Sequence, residues 1–297
     1  MQMKLKYLIF TILALASFSS CQNGRNAARK AAAAQPADSL DFTLVQVPAM
    51  ITDQQEVLEY SMQHFWDKLS DRCYAKKVEE QFANWIWLSE NVPLELAASS
   101  LKTAYSKSPE RILYLADKYL YDPQSPYRNE DLYGSLCALA GGDLEDVARL
   151  CALNPVGGKA ADFTIEDARG RHFTLYSVKA RCTLLFFSNP YCNACKEIID
   201  ELKANELVQK GLSEGVLAIV NMYTDEDLEQ WRSYLPEYPK SWKTGFDPTF
   251  TLQNREKYNI RAIPSLYLLG EDKTVLLKDA PTEKLMNRLQ VELQRYL

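Results

Sequence analysis

The run Cys182-Thr183-Leu184-Leu185-Phe186-Phe187 leaves this chain the fewest options. It is apolar without alternation, which in a strand means that both faces are covered and that the strand lies at the centre of its sheet. The surrounding sequence supplies the rest of such a sheet. Alternating residues over 162–166 and 172–176, joined through Asp167-Ala168-Arg169-Gly170-Arg171, predict a leading hairpin. A helix carrying Ile198, Ile199, Leu202 and Leu207 follows the apolar run, then a second buried strand over 216–220 and a helix near 225–234. After a proline-rich, aromatic passage come a short helix around 253–258, a strand over 265–269, a turn at Gly270-Glu271-Asp272, a strand over 274–278 and a closing helix over 282–296. Strands and helices in this order make a mixed α/β sheet.

Upstream the pattern is different. Leu58, Met62, Phe65, Trp66 and Leu69 recur at spacings of three and four, as do Val78, Phe82, Trp85 and Ile86, and then Leu94, Ala97, Ala98, Leu101 and Tyr105. Ser108-Pro109-Glu110 places a cap, a first-turn proline and an early acid at the head of a helix that buries Ile112, Leu115, Ala116 and Tyr119. The turn formers of Leu153-Asn154-Pro155-Val156-Gly157-Gly158-Lys159 end this periodicity. The expected organisation is an all-helical domain over 41–156 and an α/β domain over 157–297. With 297 residues, 47% of them hydrophobic and 25% charged, the chain is long enough for two modest cores.

The first twenty residues stand apart. Lys4 and Lys6 precede an apolar run from Tyr7 to Phe18, too short to span a bilayer, which reads as an export signal. Ser19 and Ser20 come directly before Cys21 in an arrangement similar to the lipobox of Gram-negative lipoproteins, with Phe18 where that motif usually has Leu. The resemblance implies lipidation at Cys21, a solvated tether over 21–40, and a lipid-anchored protein facing the periplasm, with the outer membrane as the expected membrane. Ordinary cleavage, leaving Cys21 as a free thiol or removing it, is the alternative. A net charge of −5 with no basic stripe argues against nucleic acid as a partner.

Export leads to an oxidising compartment, where thiols need a reason to stay reduced. Beyond Cys21 there are six cysteines, and Ser188-Asn189-Pro190-Tyr191-Cys192-Asn193-Ala194-Cys195-Lys196 holds two of them as CxxC. In a chain with this many cysteines the motif alone is a weak signal. Its context is stronger, because it falls between the buried strand and an amphipathic helix, putting Cys192 at the helix N-terminus and Cys195 one turn in. Unpaired N–H groups and the positive end of the helix dipole stabilise a thiolate there. Cys192 is thus the candidate nucleophile, and Cys195, on the same side, the candidate resolving thiol. A zinc site lacks ligands, since His64 and His172 are the only imidazoles and no second CxxC exists, so neither a metal nor another cofactor is expected. A structural disulfide is the remaining alternative, although so short a loop constrains the unfolded chain little.

From about residue 160 onward the chain resembles a thioredoxin-like domain of the TlpA/ResA type. The likeness rests on the leading hairpin, the strand over 183–188, the CxxC on the next helix, and Tyr258-Asn259-Ile260-Arg261-Ala262-Ile263-Pro264-Ser265. This last stretch is similar to the thioredoxin segment in which a cis-proline opens a strand and faces the CxxC. The resemblance implies a cis Pro264, an Ile263 backbone that pairs with an extended substrate segment, and Tyr191 as a further substrate contact. It also implies a thiol-disulfide oxidoreductase acting on protein thiols and disulfides, with a membrane thiol carrier as electron donor should it work as a reductant. Thioredoxins keep a buried acid six residues before the first cysteine, where this chain has Phe186. The TlpA/ResA group often has Glu three residues after the second, where this chain has Ile198, with Glu197 one position early. Proton transfer then falls to water or another group. Asn193-Ala194 matches neither the Gly-Pro of thioredoxins nor the histidine of strong oxidants, which leaves the direction of electron flow unassigned. A peroxiredoxin-like peroxidase is disfavoured by Asn189, which stands where that site expects Thr.

The passage from Tyr119 to Glu130 resembles part of a helical domain of unknown role that precedes thioredoxin-like domains in exported lipoproteins. That likeness implies an architecture and no activity. The tyrosines between Tyr119 and Tyr133 are read as packing onto the core of a helix-ending loop recapped by Asn129, in preference to a peptide- or sugar-binding surface. Trp242, Phe246 and Phe250 either line a groove near Cys192 or fill the sheet edge. Cys182 reads as a small buried hydrophobe, while Cys73, Cys137 and Cys151 leave room for one disulfide and one free thiol, with no sequence signal that chooses a pair. His64 and His172 read as surface or packing residues. The function class that competes with the oxidoreductase is a binding or scaffold lipoprotein that keeps the shape for docking.

Overall fold

In a computed structural model the described residues are 45–71 and 73–297; the export signal, Cys21 and the tether lie outside them. Among the described residues the upstream half has six α-helices: α1 (Gln54–His64), α2 (Ala75–Ser89), α3 (Leu94–Lys107), α4 (Pro109–Ala116), α5 (Glu130–Ala140) and α6 (Glu145–Cys151). Their apolar stripes meet in one core around Met62, Trp66, Phe82, Trp85, Leu101 and Ile112. The Trp85 indole is satisfied across helices, its Nε1 donating to Ser100 Oγ at 3.1 Å and Ser100 Oγ to the Met62 carbonyl at 2.9 Å. Ser108 precedes α4 with Pro109 in its first turn as expected, yet its hydroxyl makes no capping bond.

The other half is a seven-stranded sheet in the order β2-β1-β5-β4-β3-β6-β7. The strands are β1 (Thr164–Asp167), β2 (His172–Thr174), β3 (Cys182–Ser188), β4 (Leu217–Tyr223), β5 (Lys243–Phe246), β6 (Ser265–Gly270) and β7 (Val275–Leu277). The apolar run is β3, buried at every position between parallel β4 and antiparallel β6. Leu184 and Phe186 face α7 (Asn193–Ala204), α8 (Glu206–Ser213) and α10 (Thr282–Gln294). Leu185 and Phe187 face Phe163, Leu175, Leu252 and Tyr258, so connecting segments cover the second face. Each of the two phenylalanines is fully buried, worth roughly 1.5–3 kcal/mol apiece. Each half has its own cores, yet both fall within one compact unit.

Three expectations change. The single helix after the CxxC is two, because Asn205 ends α7 and caps α8, its Oδ1 accepting from Val208 N at 3.1 Å. The short helix at 253–258 is a series of turns wound around buried Asp247. Thr249 N, Thr251 Oγ1 and Leu252 N donate to its carboxylate at 2.8, 2.7 and 3.0 Å, and positive φ at Phe250 and Arg255 prevents a helix from propagating. The aromatic passage conceals β5, which pairs with β4 and with β1 and so joins the leading hairpin to the sheet. Gly245 permits it, since a Cβ there would stand 2.6 Å from the Glu166 carbonyl oxygen. The closing helix α10 follows α9 (Leu228–Tyr234) as the last helical cover.

No two of the three cysteines in the helical half are joined. Cys73, Cys137 and Cys151 are free and buried in that half's core, where they act as small hydrophobes like Cys182 in β3.

Candidate functional site

β3 ends at Ser188 and the chain turns through Tyr191, whose φ of 60° re-aims the backbone into α7. Cys192 is the residue that caps α7. The Cys195 N–H donates to its sulfur at 3.2 Å, so a free helix N–H already points at the atom on which negative charge would develop. Cys192 and Cys195 are joined as a disulfide with their Cα atoms 5.2 Å apart. The two sulfurs differ in access, Cys192 being half-buried and Cys195 only 2% exposed. The accessible sulfur is therefore the one at the helix end.

The loop before the motif is tied to its neighbour. Asn189 Oδ1 accepts from Thr224 Oγ1 at 2.9 Å and Asn189 Nδ2 donates to Asp225 Oδ2 at 3.2 Å. Tyr191 is 69% exposed, its ring edge-on to Tyr234 at 5.4 Å, and Tyr234 stands edge-on to Tyr238. The position of the missing acid is apolar and buried: Phe186 is fully buried, edge-on to Trp242 at 6.3 Å, and Ile198 is 4% exposed. Polar groups lie beside it instead. Asn221, the neighbour of Phe186 on β4, accepts from Ser188 Oγ at 2.6 Å, and Tyr238 Oη is 3.5 Å from that hydroxyl.

Opposite runs the Ile263–Pro264 bond, which is cis, immediately before β6. Cys192 and Ile263 are both partly buried against the same apolar cluster, which contains Cys195, Phe186 and Trp242. The fold thus brings the CxxC and the downstream segment to one end of the sheet. An open groove of about 680 Å³ starts there, walled by Thr224, Asp225 and Glu226 on one side and by Ile260, Ala262 and Ile263 on the other. Trp242 and Phe246 pack inward, Phe246 against Trp231, and Phe250 is exposed.

The other residues singled out in the sequence lie elsewhere. His64 pairs with Asp67 and His172 with Glu166; Asp67 and His172 are exposed, His64 and Glu166 half-buried. Burial pushes the Cys182 thiol up to about 11 and that of Cys151 up to about 12, which keeps both protonated and unreactive. Asn129 recaps the chain as α5 begins, Leu132 N donating to its Oδ1 at 3.1 Å, and Tyr121 stacks on Tyr133 at 4.3 Å. What the sequence did not reveal is that Arg128, Glu130, Arg261 and Asp279 meet in a buried ion cluster next to the Ile263–Pro264 segment. The spacing of more than a hundred residues between the pair Arg128 and Glu130 and the pair Arg261 and Asp279 carries no local signal.

Residues 180–275 match the family described as Thioredoxin-like, and residues 20–148 match a domain of unknown function, DUF5106. A solved thioredoxin-like protein from Bacteroides caccae is 34% identical over 84% of this chain and 98% of its own, with a TM-score of 0.75. The C-terminal domain of an uncharacterised protein from Bacteroides fragilis is 40% identical over 46% of this chain and 98% of its own, with a TM-score of 0.44. The thioredoxin domain of a thiol-disulfide oxidoreductase from Bacteroides vulgatus is 20% identical over 46% of this chain and 97% of its own, with a TM-score of 0.41. No curated protein matches the chain.

Proposed function

The chain belongs to the thioredoxin-like proteins, and we propose that it is an extracytoplasmic thiol-disulfide oxidoreductase, anchored to a membrane through Cys21 and working through Cys192 and Cys195. The observation that carries the reading is the bonded cysteine pair at the N-terminus of α7, with one sulfur accessible and the Ile263–Pro264 segment beside it. In the reducing direction the Cys192 thiolate attacks one sulfur of a substrate disulfide. A Cys192–substrate bond forms, and the other substrate sulfur leaves as a thiolate that takes a proton from water. Cys195 gives its proton to water, and its thiolate attacks the Cys192 sulfur, which breaks the mixed bond and releases the second substrate sulfur as a thiolate that also takes a proton from water. Two electrons pass from the dithiol to the substrate, and the protein is left with the Cys192–Cys195 disulfide. A membrane thiol carrier returns the electrons. With Phe186 and Ile198 where relatives keep acids, water is the partner in each proton transfer, so resolution is slower than in a protein with a buried acid. Ile263 and Pro264 offer backbone to an extended substrate segment, with Tyr191 as an exposed ring on the other side of Cys192.

The same apolar pair favours a second reading, a docking lipoprotein that keeps the fold without turnover. Replacing Cys195 by Ser separates the two. The oxidoreductase accumulates mixed disulfides on Cys192, and the wild-type protein reduces insulin; no captured partner together with no thiol exchange by the wild type sinks the enzyme. Fatty-acid label that persists after Cys21→Ala refutes the anchor.

A further inference from the structure

Glu130 opens α5 in the helical half and is 3% exposed, buried against residues that come more than a hundred positions later. Its Oε1 accepts from Arg261 Nε at 2.6 Å and from Asn259 Nδ2 at 3.0 Å, and Lys278 Nζ stands 3.4 Å from Oε2. Arg261 in turn donates from Nη2 to Asp279 Oδ2 at 2.7 Å, with its guanidinium 4.4 Å from the centre of the Tyr121 ring. Asp279 Oδ1 accepts from Ser265 Oγ at 2.8 Å. Arg261 and Ser265 flank Ala262, Ile263 and Pro264, so both ends of the segment beside Cys192 converge on one carboxylate, and that carboxylate's arginine partner is held by Glu130. Arg128, two residues before Glu130, closes the cluster by donating to the carbonyls of Asp279 and Ala280 at 2.8 and 2.9 Å.

Such a cluster is an expensive way to hold two halves together. The side chains of Glu130, Arg261 and Asp279 are 1%, 5% and 7% exposed, and ions taken that far from water recover their lost hydration only with good geometry. Apolar residues of similar volume would glue the surfaces as well. What charged partners with directional hydrogen bonds add is a fixed position, and the backbone they fix is the one next to the dithiol.

We infer that Glu130 is a positioning residue of the thiol-exchange site: through Arg261 and Asp279 the helical half sets the backbone of residues 261–265 on which a disulfide-bearing peptide is to pair. The inference rests on the oxidoreductase reading above and gives the helical half a part in it. It separates two kinds of substrate. A small aromatic disulfide needs only the accessible Cys192 sulfur, whereas a peptide disulfide also needs the segment's N–H and C=O groups in register.

The test is Glu130→Gln in the full chain, reduced and assayed with a peptide closed by one disulfide and with dithiobis-nitrobenzoate. The expected result is a KM for the peptide raised about tenfold, with kcat and the small-disulfide rate within about twofold of wild type. Hydrogen exchange is expected to quicken over 259–266 and to stay unchanged in β4. An unchanged KM, or both substrates slowing together with exchange quickening everywhere, overturns the inference in favour of a structural role. Should the wild type exchange thiols with neither substrate, the oxidoreductase reading falls, and hydrogen exchange decides the brace by itself: no change over 259–266 overturns it. If the single variant does not fold, Glu130→Gln with Arg261→Met removes both charges; a wild-type KM in that protein overturns the inference equally.

Discussion

The two arms of the site are held in opposite ways. The Cys192 arm is shaped by its neighbours in sequence: β3 delivers it, Tyr191 turns it, and the first turn of α7 receives it, with side-chain bonds linking Asn189 to Thr224 and Asp225 as its tie to the next loop. The 261–265 arm is fixed by residues from elsewhere, Glu130 from the helical half and Asp279 from beyond β7. An arm set by local geometry carries its chemistry wherever the strand–turn–helix unit folds. One set at long range depends on how the rest of the molecule is packed. Reactivity at Cys192 and stability of the substrate-facing backbone are therefore separable properties, and mutations on each arm should affect one and spare the other.

The largest effect belongs to the local arm. Cys192→Ser should abolish insulin reduction while moving the unfolding free energy of the reduced protein by less than about 1 kcal/mol, because a half-buried thiol at a helix end has few contacts to lose. Denaturant titration beside the activity assay checks both halves of that statement, and a large stability loss would break the comparison. Next comes the contrast among thiols. In the reduced native protein at pH 8, iodoacetamide should modify Cys192 first and leave Cys73, Cys137, Cys151 and Cys182 unlabelled until the chain is unfolded. A thiol pushed up to about 11, as Cys182 is, has roughly one thousandth of its population ionised at pH 8, and burial denies access besides. Peptide mass mapping over time reads the order; early label on Cys182 would mean that β3 opens.

On the long-range arm the effect is on stability. Arg261→Ala leaves Glu130 with Lys278 and Asn259 alone and should destabilise the protein by roughly 3 kcal/mol, the usual loss when one partner of a buried ion pair is removed. Chemical denaturation measures it. A loss below about 1 kcal/mol would show that the cluster is relaxed enough for water to replace the arginine.

The same division explains what could be read from the sequence. The apolar run over 182–187, the CxxC after it and the turn formers at Gly270-Glu271-Asp272 are local patterns with a period or a fixed order, and each specified its element. The loop recapped by Asn129 was legible for the same reason, as a cap followed by acids. β5 was not, because four residues containing Gly245 have neither alternation nor an apolar run, and what makes them a strand is the gap between β4 and β1. The burial of Glu130 and Arg261 has no local signal at all; it exists only once the fold brings them together. Cys182 was legible as a small buried hydrophobe, whereas the state of Cys73, Cys137 and Cys151 was not, since sequence spacing says nothing about which side chains share a core.

The smallest expected effect tests the segment that leads into the long-range arm. Residues 247–258 are wound around Asp247, whose burial works to raise its pKa while the hydrogen bonds from Thr249, Thr251 and Leu252 outweigh it and hold the carboxyl below the usual range. A group with a depressed folded-state pKa contributes stability above its unfolded value, near 4, and loses it as the pH falls through the folded value. Asp247→Asn should therefore melt below wild type at pH 7 by the equivalent of roughly 1–2 kcal/mol, the worth of a weakened charge-assisted hydrogen bond, with the gap narrowing below about pH 4. Thermal melts of both proteins between pH 7 and pH 2.5 read the difference directly. A gap that stays constant on acidification would mean that the turn is held by its geometry and not by the charge, and that the path into residues 261–265 is set locally, as the Cys192 arm is.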